Sequence, residues 1–351
     1  MRAGVFHGEG EIRVEEVPDP TIEQPTDAVV RIVRSSVCGS DLWSYRGISE
    51  GSAGGRTGHE LTGIVEEVGD GVDEVQVGDL VVAPFAFGDG TCEFCRAGLW
   101  TSCRQGGFFG GDVNGGQAEY ARIPWADANL WVAPADTPVE RWDALHLLSD
   151  VLLTGWHAGV LAGVGQPGLG GEVARTAVVI GDGAVGLSGV LSARQQGAER
   201  VIAVGHHDDR LEVARTLGAT DTVNLRGKEL RAHLRELTDG GAPAVLECVG
   251  VDASLRDAIG AVRPGGRIGM VGVPAGVSSV PMGLLFRDNI TLTAGVAPTN
   301  AYIDEVGPLV ADGTIDPSPI ASDVFALEDL PAAFAAMDQR RTIKSILHPA
   351  G

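Results

Sequence analysis

The pattern of apolar positions changes once along the chain. Up to about residue 150, short segments such as 28–33 alternate apolar and polar side chains between glycines and prolines, which is typical of a β-rich domain. Beyond Asp150, apolar strand-like runs alternate with helical stretches, as the βαβ units of a parallel sheet require. The strand-like runs are Ala177–Ile180, Val201–Val204, Ala244–Leu246 and Arg267–Val271.

The length of the chain agrees with two domains. At 351 residues it is too long for one ordinary domain, whereas two domains can each bury a core of their own. Near the end, residues 330–337 form a candidate helix and residues 343–347 a candidate strand. We therefore expect an α/β protein with a β-rich first domain and a second domain built on a parallel sheet.

Charge and cysteine content narrow the function classes. Lys and Arg total 26 against 47 Asp and Glu, and the formal charge of −21 would repel nucleic acid and anionic membranes. Neither an apolar run of about 18 residues nor a secretory signal is found, so we expect a soluble, cytoplasmic protein. Five cysteines, three of them between positions 92 and 103, favour metal chemistry in a reducing compartment over a disulfide framework.

A glycine-rich motif follows the first strand-like run of the second domain. Gly181-Asp182-Gly183-Ala184-Val185-Gly186 matches the Gly-x-Gly-x-x-Gly fingerprint, with a strand before it and a helix-like stretch after it. Glycine is needed there for a tight turn, for close approach of the backbone to a pyrophosphate, and for packing of helix against strand. Because the helix N-terminus also attracts the anion, this context predicts dinucleotide binding rather than a structural turn.

Four residues in the first half of the chain offer metal ligands: Cys38, His59, Glu60 and Asp150. A thiolate, an imidazole and a carboxylate can fill three corners of a zinc tetrahedron and leave the fourth for water or substrate, as in a catalytic site. Taken singly, such residues have ordinary structural alternatives, namely a buried thiol, a core or turn histidine and a helix cap. The spacing alone does not bring them together.

Motifs around His59 are similar to those of one known family. They are Gly58-His59-Glu60, Gly63, Val65-Glu66-Glu67-Val68-Gly69 and Val77-Gly78-Asp79-Leu80-Val81. Together they resemble the zinc-dependent medium-chain dehydrogenase/reductase family, and the likeness extends from Met1 to His348. It implies a GroES-like β-rich catalytic domain and a Rossmann cofactor domain with a doubly wound parallel sheet. The catalytic domain would span residues 1–153 with a C-terminal return at 295–351, and the dinucleotide-binding domain residues 154–294.

The resemblance also assigns roles around the zinc. Cys38, His59 and Asp150 would be the ligands, with Glu60 as a nearby carboxylate that can ligate transiently.

A proton route accompanies this ligand set in the family. Asp41 matches a residue that accepts the other ring proton of His59, and Ser40 matches the hydroxyl that passes the proton. The family often has a histidine where this chain has Trp43, and indole cannot carry protons at neutral pH. The relay would then use water or another group, while Trp43 either shapes the pocket or simply packs.

A second metal site is implied by the segment that ends at Cys103. In related dehydrogenases a lobe with four cysteines binds a structural zinc, and aligning Cys92, Cys95 and Cys103 places Asp89 at the first cysteine. Carboxylate oxygen is an acceptable zinc ligand, so a closed site is chemically reasonable. The alternative is a metal-free loop with three reduced thiols.

The end of the second strand-like run bears on cofactor choice. NAD-binding folds place an Asp or Glu there, which hydrogen-bonds the ribose 2′-hydroxyl and repels a 2′-phosphate. This chain has Gly205, followed by His206, His207 and Arg210. A small residue makes room, and imidazoles and a guanidinium can bind phosphate oxygens, so the sequence favours NADP(H) over NAD(H). Alternatively, Asp208-Asp209 supplies the acid and the histidines are solvated.

Further assignments come from the family or from local sequence. By analogy, Thr154 and Lys344 would lie near the cofactor, and the protein would be a homodimer or homotetramer. Cys248, which has no partner at metal spacing, is predicted to be a buried, inert thiol near the cofactor. Four aromatic residues line an apolar substrate cleft or belong to the core. They are Trp43, Phe85, Phe108 and Phe109.

The predicted function is that of a zinc-dependent alcohol dehydrogenase or carbonyl reductase. It would transfer hydride between NADP(H), or NAD(H), and a small alcohol, aldehyde or ketone. Two alternatives remain: a zinc-independent reductase of activated double bonds from the same superfamily, and a dinucleotide-binding sensor without catalysis.

Overall fold

The computed structural model describes residues 1–111 and 113–349 and divides into two units. The first unit comprises Met1–Asp150 and Pro298–Gly351, and the second comprises Val151–Ala297. The chain thus leaves the first unit after Asp150, where 153 was expected, and returns to it after Ala297, where 294 was expected.

The N-terminal part of the first unit is rich in short strands. Its helices are brief because glycines and prolines interrupt the apolar pattern every few residues. The elements are β1 (Arg2–Gly8), β2 (Glu11–Glu16), β3 (Ala28–Ser36), α1 (Asp41–Tyr45), β4 (Leu61–Val68), β5 (Leu80–Ala83), β6 (Ala86–Phe87), α2 (Glu93–Arg96), β7 (Gly107–Phe108), β8 (Tyr120–Ile123), α3 (Ala126–Asn129), β9 (Trp131–Val132) and α4 (Trp142–His146).

The second unit alternates strands and helices. Its central strands β10 and β11 are short runs of mostly buried β-branched and aliphatic residues, as expected where helices cover both faces of a sheet. The elements are α5 (Val151–Ala162), β10 (Thr176–Ile180), α6 (Ala184–Gln195), β11 (Arg200–Val204), α7 (Asp208–Thr216), β12 (Asp221–Val223), α8 (Gly227–Leu237), β13 (Ala242–Glu247), α9 (Asp252–Ala261), β14 (Val262–Met270), α10 (Met282–Arg287) and β15 (Thr291–Ala294).

The last segment rejoins the first unit. Its elements are α11 (Ile303–Ala311), β16 (Asp323–Ala326), α12 (Leu330–Asp338) and β17 (Ser345–His348). Single turns of 3₁₀ helix occur in both units. They are Trp100–Ser102, Val139–Arg141, Leu147–Ser149, Leu169–Gly171, Thr299–Ala301, Ser318–Ile320 and Leu327–Asp329.

Each unit is built around one principal sheet. In the first unit a seven-stranded sheet runs in the order β16-β17-β3-β4-β5-β9, with β8 paired to β3. In the second unit six parallel strands run in the order β12-β11-β10-β13-β14-β15. This is the doubly wound dinucleotide-binding order, whose switch point lies between β10 and β13. The predicted fold class is therefore confirmed.

Both sheets carry buried apolar cores. Val30, Ile32 and Leu61 belong to the core of the first unit, and Val178 and Ile202 to that of the second. Among the described residues no single helix is long and apolar enough to cross a membrane. Two consecutive helical segments, Val139–Ser149 and Val151–Ala162, meet this criterion only when they are counted together, and the chain bends between them.

Candidate active site

Four side chains that are far apart in sequence meet in the first unit. Cys38 follows β3, His59 and Glu60 precede β4, and Asp150 follows the turn Leu147–Ser149. The first three come together because β3 and β4 are antiparallel neighbours. One ligand atom from each of the four lies within 4.8 Å of the others. The structure thus brings the predicted catalytic set together.

The separations within this cluster match a tetrahedral zinc site. His59 Nε2 lies 3.4 Å from Asp150 Oδ2, and Cys38 Sγ lies 3.5 Å from the same oxygen. Zinc bonds of about 2.0 Å to nitrogen or oxygen and about 2.3 Å to sulfur put tetrahedral ligand atoms about 3.3–3.8 Å apart. Glu60 Oε1 is 3.7 Å from His59 Nε2. The donor types and their spacing therefore fit a zinc ion.

Asp41 orients two of these side chains. Its Oδ1 is 3.3 Å from His59 Nδ1, the ring nitrogen that faces away from the cluster. Its Oδ2 accepts hydrogen bonds from the backbone N–H of Cys38, at 2.9 Å, and from Gln117 Nε2, at 3.2 Å. One carboxylate thus fixes both the imidazole and the backbone that carries the thiol. Gln117 carries no motif signal in the sequence.

Gly58 sets the direction in which His59 leaves the backbone. Its φ is +90°, a region that strongly favours glycine. A Cβ at this position would also stand 2.4 Å from the Gln117 side chain. The glycine is therefore required both by backbone conformation and by the residue that supports Asp41.

Behind Glu60 lies a chain of buried polar groups. Lys344 Nζ donates to Glu60 Oε1 at 2.5 Å, and Ser36 Oγ donates to Glu60 Oε2 at 2.8 Å. His146 Nε2 is 2.8 Å from Ser36 Oγ, and its Nδ1 is 3.2 Å from Thr62 Oγ1. Ser36, His146 and Thr62 lack a recognisable spacing, so sequence reasoning missed them.

Lys344, which by analogy with the family would lie near the cofactor, pairs with Glu60 in this structure. The side chain is fully buried in the first unit, and its ammonium is held by Glu60. Burial lowers the pKa of Lys344, but the charge of Glu60 outweighs this and the net pKa is raised. An ammonium that is buried and paired in this way is not available to a cofactor phosphate.

Charge within the cluster favours a cation. Burial lowers the pKa of His59, but Asp41 and Asp150 outweigh this effect, and the net pKa is well above its ordinary value. Burial raises the pKa of the Cys38 thiol, and Lys344 opposes that shift. Because the surrounding carboxylates stabilise positive charge at the imidazole, the same environment suits a bound metal ion.

The second predicted set, Asp89, Cys92, Cys95 and Cys103, also converges. Its ligand atoms lie within 4.8 Å of one another. Cys92 Sγ is 3.6 Å from Cys95 Sγ and 3.8 Å from Cys103 Sγ, close to the separation of about 3.8 Å expected for thiolates around zinc. The spacing therefore fits a closed metal site.

Asp89 is held as a carboxylate in this loop. Its Oδ1 accepts backbone hydrogen bonds from Thr91 at 2.8 Å and Cys92 at 2.9 Å. Chiefly through the bond from Cys92, its pKa is lowered to about 2. Burial raises the pKa of Cys95 to about 12, so a bound cation would have to stabilise its thiolate. A charged carboxylate beside three cysteines is a reasonable zinc donor set.

The four aromatic residues of the predicted cleft have different surroundings. The Phe85 ring centroid lies 6.1 Å from that of His59 and stacks on Phe108 at 6.0 Å. Phe108 is 39% exposed, whereas Phe109 is buried in the core of the first unit. Trp43 is half-buried on α1. Phe85 and Phe108 therefore form an aromatic wall beside the candidate metal site, and Phe109 does not belong to it.

In the second unit the glycine fingerprint joins β10 to α6. Ala184 and Val185 begin the helix, and a Cβ at Gly186 would stand 2.1 Å from the carbonyl oxygen of Gly181. Among the described residues, a Cβ at Gly183 would meet nothing within 4 Å. Gly183 is the N-cap of this 12-residue helix and has no side chain to bind the first N–H groups. This open, donor-lined turn fits a pyrophosphate.

The residues predicted to bind a 2′-phosphate lie at the end of β11. The His206 side chain is exposed, whereas His207 Nδ1 is 2.8 Å from Asp182 Oδ2. A Cβ at Gly205 would stand 2.6 Å from the Asp182 side chain. Arg210, on α7, is buried. The space and one of the donors assigned to phosphate are therefore already occupied by Asp182.

Two other residues assigned to the neighbourhood of the cofactor belong to the second unit. Thr154 is buried on α5. Cys248 follows β13 and is half-buried; its Cβ lies 3.6 Å from where a Cβ of Gly181 would stand. Burial raises the pKa of Cys248 well above its ordinary value, which is consistent with an inert thiol beside the fingerprint.

Comparison with known proteins agrees with this geometry. The family described as alcohol dehydrogenase GroES-like domain matches residues 24–134, and that described as zinc-binding dehydrogenase matches residues 184–312. An uncharacterized zinc-type alcohol dehydrogenase-like protein of Bacillus subtilis, AdhB, is 33% identical over 386 residues, covering 99% of this chain and 100% of that protein. The chain belongs to the zinc-dependent medium-chain dehydrogenase/reductase family.

Other members of this family are similar along their whole length. A glutathione-independent formaldehyde dehydrogenase of Pseudomonas aeruginosa is 30% identical, covering 99% of this chain and 97% of that protein. The structure of alcohol dehydrogenase TADH from Thermus sp. ATN1 superposes with a TM-score of 0.91 at 34% identity, covering 99% of both chains. The resemblance inferred from the sequence motifs is thus confirmed. The family is one of oxidoreductases that use zinc and a nicotinamide cofactor on small-molecule substrates.

Proposed function

We propose that this protein is a zinc-dependent alcohol dehydrogenase or carbonyl reductase. The observation that carries the proposal is the convergence of Cys38, His59, Glu60 and Asp150 within 4.8 Å. A thiolate, an imidazole and carboxylates at this spacing suit a catalytic zinc with a position left for substrate. The zinc-independent reductase remains less favoured because it has no use for this donor set.

The four residues of the cluster would contribute differently to binding the ion. Cys38, His59 and Asp150 would be its ligands. Glu60 is within reach but is restrained by Lys344 and Ser36, so its binding would require those hydrogen bonds to rearrange. When bound, zinc acts as a Lewis acid that polarises a carbonyl oxygen or lowers the pKa of an alcohol.

The second unit would supply the redox partner. The turn at Gly183 and the N-terminus of α6 would bind the pyrophosphate of a dinucleotide. The nicotinamide of that cofactor supplies or accepts the hydride. The choice of NADP(H), based on Gly205 and its neighbouring histidines, stays a prediction, and the position of Asp182 opposes it.

Proton transfer would begin at Ser40. This residue is exposed and stands at the start of α1, two positions after Cys38. Its hydroxyl would give a proton to, or take one from, the substrate oxygen. Asp41 keeps the His59 ring in one orientation. Because Trp43 carries no transferable proton at neutral pH, the proton would pass from Ser40 to water.

We further propose a second metal site, an oligomeric state and a substrate-contacting surface. Asp89, Cys92, Cys95 and Cys103 would hold a second, structural zinc. The homodimer or homotetramer stays a prediction from the resemblance. The aromatic wall of Phe85 and Phe108 would contact the substrate beside the first zinc.

The proposal is tested by measuring zinc content and initial rates together. Zinc-loaded protein is assayed with NADH and with NADPH on a panel of aldehydes and ketones, and in reverse with alcohols. Cys38→Ser should lose one equivalent of zinc and at least about 100-fold in rate, while cofactor binding is retained. Cys248→Ser, a control that removes a thiol outside both clusters, should keep the zinc content of the wild type. Full activity of Cys38→Ser, or of metal-free protein, would refute the proposal.

A further inference from the structure

The second residue of the glycine motif, Asp182, turns its side chain toward the neighbouring strand. Asp182 follows β10, and Gly205 follows β11, the parallel neighbour of β10. Asp182 Oδ2 accepts backbone hydrogen bonds from His206 at 2.6 Å and His207 at 3.0 Å. The same oxygen lies 2.8 Å from His207 Nδ1. Asp182 is therefore anchored by three donors at the carboxyl end of β11.

The position of Asp182 explains the glycine at 205. A Cβ at Gly205 would stand 2.6 Å from both Cβ and Oδ2 of Asp182, closer than real Cβ contacts come. The room that Gly205 leaves is thus filled by a carboxylate from the adjacent loop. A carboxylate belongs at this place in folds that bind an unphosphorylated ribose, although it normally comes from the end of the second strand itself.

Asp182 also removes donors that a 2′-phosphate would need. The two backbone N–H groups and His207 Nδ1 already bind its Oδ2, and Arg210 is buried. Burial raises the pKa of Asp182, but the hydrogen bonds from His206 and His207 outweigh this, and the net pKa is lowered. Asp182 is therefore a carboxylate at neutral pH, and its Oδ1 takes part in none of these three bonds.

We propose that Asp182 is the residue that selects NAD(H) over NADP(H), by accepting the ribose 2′-hydroxyl and repelling a 2′-phosphate. The inference rests on the proposed dinucleotide-binding function and sharpens it. It assigns His206 and His207 to anchoring Asp182 through their backbone and ring N–H groups, and not to binding phosphate. It also separates Asp182 from Asp208 and Asp209, which are exposed on the first turn of α7.

Binding of cofactor fragments tests this without turnover. Isothermal titration of the full-length protein compares ADP-ribose with 2′-phospho-ADP-ribose, which differ only in the 2′-phosphate. Opposing like charges in a binding site usually cost enough to change affinity by about 30-fold or more, so the wild type should prefer ADP-ribose by that factor. Asp182→Asn keeps the shape and removes the charge, so the preference should fall to about 3-fold or less.

Matched controls distinguish this carboxylate from its neighbours. Asp208→Asn and Asp209→Asn each remove one negative charge close by and should leave the preference unchanged. Asp182→Ala gives a second variant without the charge, and thermal unfolding of each variant reports whether it folds. Initial rates with NADH and NADPH should show the same order of preference.

Each outcome bears on one idea. A wild-type preference for 2′-phospho-ADP-ribose, or an unchanged preference in Asp182→Asn and Asp182→Ala, would overturn the role of Asp182 and leave the proposed oxidoreductase intact. A loss of preference in Asp208→Asn or Asp209→Asn would transfer the role to that residue. If neither fragment binds the wild type, the proposed dinucleotide site itself fails.

Discussion

Replacing Lys344 by methionine should destabilise the first unit strongly. Methionine keeps most of the buried volume but removes the ammonium that forms the 2.5 Å ion pair with Glu60. Both side chains are fully buried, so the carboxylate left behind cannot recover its hydration. Removing one partner of a buried pair costs about 3–5 kcal/mol.

The expected size can be refined from the remaining contacts of Glu60. Its Oε2 keeps the hydrogen bond from Ser36 at 2.8 Å, which favours the lower end of that range, about 3 kcal/mol. For a unit of this size each kcal/mol lowers the midpoint of thermal unfolding by about 2–4 °C, so Lys344→Met should lose about 6–12 °C. Circular dichroism of metal-free protein measures the midpoint, because a zinc ion beside Glu60 would itself neutralise the carboxylate.

A double-mutant cycle separates the ion pair from simple packing. Lys344→Met is combined with Glu60→Gln, which removes the unpaired charge but keeps the hydrogen bond to Ser36. The double variant should unfold at a higher temperature than Lys344→Met, because a neutral pair is tolerated far better than a lone buried charge. Strictly additive effects, or a Lys344→Met midpoint within about 1 °C of the wild type, would refute this account.

Two other predictions concern the backbone beside His59 and the stability of the first unit in acid. Gly58→Ala should lower zinc content and activity, because the φ of Gly58 is +90° and the new Cβ would meet Gln117. Gly39→Ala, whose Cβ would meet no described atom within 4 Å, is the control. An unchanged zinc content in Gly58→Ala would contradict this reasoning. The pKa of Asp143 is lowered to about 2, since the hydrogen bonds from His348 and Arg34 outweigh burial. A carboxyl whose pKa is lowered in the folded state stabilises the fold at any pH above its ordinary pKa near 4. This stabilisation is lost as the pH falls from 4 toward 2. Because Asp143 is partly exposed, we expect its contribution to the free energy of unfolding to be about 1 kcal/mol. The difference in unfolding midpoint between wild type and Asp143→Asn should therefore shrink over that range, and a constant difference would argue against the ion pairs.

The sequence was sufficient for the central strands of the second sheet because they are continuous apolar runs. Residues 177–180 and 201–204 lie within β10 and β11, and the helix predicted at 330–337 is α12. The family motifs then located the ligand sets, since Cys38, His59 and Asp150 are recognisable types at recognisable places. The strands and the helix depend on local pattern, which a single sequence shows, whereas the ligand sets depended on the resemblance to the family.

Features that depend on contacts between distant segments were not predictable in the same way. Lys344 was assigned to the neighbourhood of the cofactor by analogy with the family, and only the position of Glu60 reveals that its ammonium is buried and paired. Gly205 was interpreted as room for a phosphate, because the sequence does not show that the Asp182 side chain fills that room. Gln117, Ser36 and His146 support the site by hydrogen bonds across strands, for which no spacing rule exists.

The C-terminal return has a consequence for the order in which the molecule can be completed. β17 lies inside the large sheet of the first unit, between β16 and β3, and Lys344 stands immediately before it. Glu60 and Lys344 are separated by 284 positions, so a ribosome makes the metal-binding residues and the entire second unit before it makes the cation that neutralises Glu60. Until β17 is made, the end of β3 at Ser35 and Ser36 lacks its strand partner and Glu60 lacks the ammonium of Lys344, whereas the second unit, made from one continuous stretch, can fold as soon as it emerges.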